Sequence, residues 1–80
     1  MHKITNKTDI YLIISNNIKK YRLANNMTQR ELAFKSGYSY SYIRRMEGPK
    51  CAKSFSIEAL ENIATALNID IAHLFKRTNI

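Results

Sequence analysis

The sequence predicts an all-α fold, a compact bundle of about five short helices. Three observations carry that expectation. Apolar residues recur at three- and four-residue intervals almost throughout, the spacing that lays a stripe along one side of a helix. Helix-starting residues (Thr28, Ser39, Ser56, Asp70) alternate with helix-stopping ones (Asn25-Asn26, Gly37, Gly48-Pro49, Asn68). No stretch has the turn-bounded alternation of a strand, and no internal repeat is present.

Each element has its own local reason. Ile10, Ile14, Ile18 and Tyr21 form one face of a first helix, and the Asn25-Asn26 pair stops it because asparagine tolerates the left-handed conformation. Thr28-Gln29-Arg30-Glu31 is a capping box, in which the hydroxyl and the carboxylate each take an orphan backbone N–H. Leu32 and Ala33 face inward, and Gly37 closes this second helix where positive φ is cheap. Only about eight residues lie between cap and stop, so the helix must be packed by neighbours to persist. Ser39 caps a third helix with a narrow buried edge, Ile43 and Met46, flanked by Tyr42; Tyr40, Ser41, Arg44 and Arg45 point away. Gly48-Pro49 breaks it, and a loop rich in Lys and Ser over 49–55 leads to Ser56. That serine caps a fourth helix striped by Ile57, Leu60, Ile63, Ala64 and Leu67. Asn68 stops it, and Asp70 caps a last short helix holding Ile71, Leu74 and Phe75. The domain is expected over 9–75, between a poorly ordered tail at 1–8 and a second tail at 76–80.

Composition narrows the function classes. Eighty residues allow one small domain, too small to close two lobes around a substrate. Cys51 is the sole cysteine and has no intrachain partner for a disulfide. The longest apolar run, Ile10 to Ile14, is far short of the roughly 20 residues that cross a bilayer, and no signal-peptide pattern is present. A soluble, cytoplasmic domain is expected. The Ile, Asn and Lys richness fits a low-GC bacterial or phage genome.

Thirteen Lys and Arg stand against six Asp and Glu, a net charge of +7. The excess is local. Lys19, Lys20, Arg22, Arg30, Lys35, Arg44, Arg45, Lys50 and Lys53 are opposed in that span only by Glu31 and Glu47. Such a field concentrates polyanions near the surface, with nucleic acid and an anionic membrane as the two main partners and a merely solubilising face as the plain alternative. The basic span is not a Trp- or Phe-faced amphipathic helix, which disfavours the membrane. His2 and His73 belong to no cluster at ligand spacing, and Cys51 beside Lys50 and Lys53 is read as an incidental thiol. No Ser, His and Asp set and no glycine-rich phosphate cradle point to catalysis. No metal, no cofactor and no enzymatic activity are expected.

Two short helices joined by a tight glycine turn, the second with a basic polar outer face, form a helix-turn-helix arrangement. A B-DNA major groove about 12 Å wide admits one helix, which then needs a thin apolar edge for anchoring and polar groups elsewhere. Tyr40 to Glu47 has that shape. The run Met27-Thr28-Gln29-Arg30-Glu31-Leu32-Ala33, followed by Gly37-Tyr38-Ser39-Tyr40-Ser41-Tyr42-Ile43 and by Glu47, Leu60, Ile63-Ala64, Ala66-Leu67 and Leu74, resembles the Cro/repressor-type helix-turn-helix domain of phage repressors and related bacterial regulators.

The resemblance implies double-stranded DNA as partner and assigns roles position by position. Tyr40, Ser41, Arg44 and Arg45 match base-contacting positions; Arg45 suits guanine, Tyr40 either thymine methyls or a phosphate, and Arg44 either a base or the backbone. Gln29, Ser39, Tyr42, Lys50, Lys53 and Arg22 match sugar–phosphate contacts. Glu47 pairs with Arg22 as structural support, and Ala33, Gly37 and Ile43 let the two helices approach closely. Tyr38 replaces a small aliphatic core residue of the family, with its hydroxyl reaching the surface. Gly48-Pro49-Lys50 and Phe55 depart from the family's loop, so the placement of Lys50 and Lys53 follows least directly. A domain this small gains specificity as a homodimer on a palindromic operator, with Ile71, Leu74, Phe75 and the 76–80 tail as the contact; closing the chain's own core is their alternative role. The rival reading of the whole is an adaptor or antitoxin-like module that binds a protein and has weak DNA affinity.

Overall fold

The computed structural model describes residues 7–48 and 55–77, with side chains from Ile10 onward in the first helix. Four α-helices follow one another: α1 (Lys7–Ala24), α2 (Gln29–Ser36), α3 (Tyr40–Glu47) and α4 (Ile57–Leu67); a 3-10 helix at Ile71–Phe75 completes the order. No strand is present among the described residues. Helix α1 begins at Lys7, two residues ahead of the boundary read at 9.

The local signals work as chemistry requires. At the start of α2 the Glu31 N–H donates to Thr28 Oγ1 at 3.0 Å, and the Thr28 N–H donates to Glu31 Oε1 at 2.7 Å, closing the capping box. Gly37 ends the helix at φ +84°, with its N–H donating to the Ala33 carbonyl. Ser39 and Ser56 accept the N–H groups of Tyr42 and Ala59, each at 3.0 Å. Asn26 (φ 56°) and Asn68 (φ 62°) take the left-handed conformation at the ends of α1 and α4.

Two local readings are corrected. Asp70 precedes the last helix but its side chain makes no capping bond, and the segment is 3-10 rather than α. Ile57 is 68% exposed, because the first residue of α4 overhangs the core instead of extending its stripe. The stop expected at Gly48 holds: α3 ends at Glu47, and Gly48 follows with extended backbone, φ −75°.

One core holds the elements together. Ile14 and Ile18 of α1, Leu32 and Ala33 of α2, Ile43 and Met46 of α3, Leu60, Ile63, Ala64 and Leu67 of α4, and Leu74 all pack into it. Each large aliphatic side chain buried there stabilises by about 1.5–3 kcal/mol relative to exposure. Leu74 is wholly enclosed within its own chain, so the expectation that it faces a second copy is corrected; Ile71 is half-buried and Phe75 exposed.

Polar side chains of α1 and of Asn25, the residue after it, fasten the other elements by their carbonyl ends. Buried Ser15 donates from Oγ to the Met46 carbonyl of α3 at 2.6 Å. Buried Asn17 donates from Nδ2 to the Leu74 and Lys76 carbonyls at 2.8 and 2.9 Å. Asn25 Nδ2 reaches the Tyr21 carbonyl at 2.8 Å and the Leu67 carbonyl of α4 at 3.2 Å. The Met46, Leu67 and Leu74 carbonyls are helix-terminal acceptors that have no intrahelical donor, so these bonds spare the core unsatisfied carbonyls. The result presents α2 and α3 as a packed pair supported from behind by α1 and α4.

Candidate nucleic-acid interface

Helix α3 is short and one-sided. Ile43 and Met46 are sealed in the core, while Ser41, Arg44 and Arg45 are exposed and Tyr40 and Tyr42 are half-buried. Gly37 makes this possible: its left-handed turn folds the chain so that α3 crosses α2 within four residues. Ala33, buried opposite, keeps the approach close.

Glu47 fixes the far end of α3. Its carboxylate accepts a two-pronged bond from Arg22, Nε to Oε2 at 2.7 Å and Nη2 to Oε1 at 3.0 Å. Gln29 Nε2 donates to the same Oε1 at 3.0 Å, and Arg22 Nη1 donates to the Met27 carbonyl at 2.8 Å. The end of α1, the α1–α2 turn, the start of α2 and the end of α3 therefore meet at one carboxylate. The Arg22 and Glu47 side chains are only 9% and 3% exposed. Fork-shaped guanidinium–carboxylate pairing of this kind is directional, so it fixes orientation as well as distance.

This arrangement shows what two expected backbone contacts do in the free chain. Arg22, read as a backbone contact, spends donors from all three of its nitrogens inward and is buried. Gln29 is half-buried with its amide nitrogen directed at Glu47, so its polar end supports α3 in the free chain. Both still line a shallow cleft with Thr28, Arg30 and Tyr40, of about 380 Å³, at the start of α2.

The tyrosines that alternate in the sequence divide between two stacks. Tyr38 and Tyr42 lie with ring centroids 4.7 Å apart and planes 30° apart, and the Arg45 guanidinium is 5.9 Å from the Tyr42 centroid. Asn62 of α4 donates from Nδ2 to the Tyr38 hydroxyl at 3.1 Å, which ties that stack to the core helix behind it. On the other side Tyr40 carries the Arg30 guanidinium at 4.1 Å and that of Arg44 at 5.7 Å. Cations within about 6 Å of a ring face are held by its quadrupole. Arg30 was not among the residues expected at the site. No local signal marks it, because its partner lies across the turn on another helix.

Cations outnumber carboxylates on the exposed surface around these helices, where Glu31 is the one exposed acid between Lys19 and Glu47. Lys19, Lys20, Arg30, Lys35, Arg44 and Arg45 are exposed, while buried Arg22 is offset by Glu47. Lys50, Lys53 and Cys51 lie outside the described residues, as does His2. His73 stands edge-on to Tyr21 with centroids 5.8 Å apart. Among the described residues no group of three His, Cys, Asp or Glu is placed to hold a metal ion, and no helix is long and apolar enough to cross a membrane.

Comparison with known proteins agrees with this geometry. A helix-turn-helix family model matches residues 18–74. The chain is 32% identical over 72 residues to the control protein C.SmaI of Serratia marcescens, covering 90% of this chain and 83% of that protein. Its structure is similar to the crystal structure of the restriction-modification controller C.AhdI from Aeromonas hydrophila, with a TM-score of 0.74 and 29% identity over 81% of this chain and 96% of that one. It is also similar to the biofilm master regulator SinR crystallised in complex with DNA, with a TM-score of 0.72 and 30% identity over 79% of this chain and 98% of that one. A match over most of the sequence, on the elements that build the basic face, places this chain in the Cro/repressor-type helix-turn-helix family of DNA-binding transcription regulators.

Proposed function

We propose that this protein binds double-stranded DNA sequence-specifically by inserting α3 in the major groove, as a homodimer on a palindromic operator, and thereby regulates a promoter. The observation that carries the reading is the asymmetry of α3: an edge of Ile43 and Met46 without solvent exposure, beside exposed Ser41, Arg44 and Arg45. A helix anchored so narrowly leaves most of its circumference for a groove. Arg45 reads guanine, Ser41 and Tyr40 contact neighbouring bases, and Arg44 serves a base or a phosphate. Ser39, Tyr42, Gln29, Lys50 and Lys53 set the register on the backbone, and Arg22 acts through Glu47. Ile71 and Phe75 supply apolar surface for the contact between copies. The role needs no catalysis, metal or cofactor, and it places the protein in the cytoplasm with the DNA. Similarity to C.SmaI and C.AhdI supports control of a restriction-modification operon as the biological setting.

Binding-site selection from random duplexes tests the proposal. The expected result is enrichment of a two-fold-symmetric motif whose half-sites lie about one helical turn, roughly 34 Å, apart or a multiple of it. Absence of any enriched motif refutes it and favours a protein-binding adaptor.

A further inference from the structure

Arg30 lies on α2, outside the helix assigned to base reading, and is exposed. Its guanidinium nevertheless sits 4.1 Å from the Tyr40 ring centroid, closer than any other cation–ring pair among the described residues. Its side chain makes no hydrogen bond or ion pair among the described residues, which leaves its in-plane N–H groups for a ligand. Tyr40 is thereby flanked by guanidinium groups from two helices, Arg30 of α2 and Arg44 of α3. A planar guanidinium can stack through its face and donate through its edge at the same time, which an ammonium cannot.

We propose that Arg30 is a positioning residue for base readout: its face holds the Tyr40 ring in one orientation, while its edge meets a backbone phosphate. The inference rests on the DNA-reading function proposed above and deepens it. One side chain then links the protein's register on the backbone to the aim of a base-contacting ring. Ordering the ring before binding lowers the conformational cost of the encounter, and this favours the base pair that fits the ordered ring.

Two measurements test this. In the free chain, proton NMR should show the Arg30 Cδ protons shifted upfield by the Tyr40 ring current, and Tyr40→Leu should abolish the shift. Unshifted protons in the parent chain overturn the inference without reference to DNA. With the selected duplex and its single-base variants, the base pair read by Tyr40 is the one whose preference Tyr40→Leu removes. Arg30→Lys, which keeps the charge, should leave the salt slope unaltered and reduce discrimination at that pair about two- to fivefold, the range of an exposed cation–ring contact. Arg30→Ala should show the same loss and also flatten the salt slope by about one. In the Tyr40→Leu background, Arg30→Lys should have no further effect on discrimination. Full discrimination in Arg30→Lys overturns the positioning role while the DNA-binding function stands. A parent chain that selects no motif overturns that function, and this inference with it. Arg30 is exposed and outside the core, so these variants should unfold at the parental temperature.

Discussion

Removal of the Glu47 carboxylate should nearly unfold the domain. Glu47→Ala leaves the Arg22 guanidinium in place with its side chain only 9% exposed, and takes away the acceptor of three hydrogen bonds, two from Arg22 and one from Gln29. Breaking a buried ion pair by deleting one member costs about 3–5 kcal/mol, because the remaining charge is left without compensation. The total stability of an 80-residue chain is about 4–12 kcal/mol at the usual value per residue, so the loss is a large share of it. At about 4–8 °C per kcal/mol for a domain of this size, the midpoint should fall by about 12–40 °C. Removing both charges with Arg22→Met/Glu47→Leu should cost about 2 kcal/mol or less, since it leaves only the Met27 carbonyl and the Gln29 amide without their partners. Circular dichroism melting and urea titration of Glu47→Ala, and of Arg22→Met, Glu47→Leu and their double variant as a thermodynamic cycle, read these values. A Glu47→Ala loss below about 1 kcal/mol would refute the reasoning, placing the pair with exposed ion pairs of little weight.

Two further outcomes concern the reading helix and its turn. Arg45→Ala should cost about 1–3 kcal/mol on the selected operator and relax preference at one base pair, measured by competition among single-base variants; equal loss on every sequence would make Arg45 a phosphate contact. Gly37→Ala should cost about 1–2 kcal/mol, because a Cβ there meets no atom within 4 Å and the penalty is confined to the left-handed backbone. A cost above about 3 kcal/mol by thermal melting would show that the turn cannot keep its conformation with a side chain present.

The parts of this protein legible in its sequence are those whose causes are local. The Thr28–Glu31 capping box, the turn at Gly37 and the left-handed stops at Asn26 and Asn68 depend on neighbours within four residues, and spacing reveals them. The core edge of α3 follows from the same logic. Periodicity fails at helix ends, where the wheel assigns Ile57 to a face that has no helix opposite it. It also cannot foresee polar residues whose partners are distant carbonyls: Ser15 and Asn17 read as ordinary hydrophilic positions of α1, and Asn25 only as part of its stop. The resemblance located the Arg22–Glu47 pair, but it did not show that Gln29 also donates to Glu47 in the free chain. Arg30 escaped for a related reason. Its ring partner is ten positions away, across a turn whose packing only coordinates display.

The polar donors of α1 have a consequence for how two copies would sit on a duplex. Through Ser15 the helix grips the end of α3, and two residues on, through Asn17, it grips the segment beside Ile71 and Phe75. In a dimer joined there, the distance between the two reading helices would be transmitted through one unbroken helix, α1, on each side. Half-site separation then becomes a property of α1. An operator lengthened by one base pair would have to twist or bend to be bound by such a dimer, because α1 is a single helix through Ser15 and Asn17.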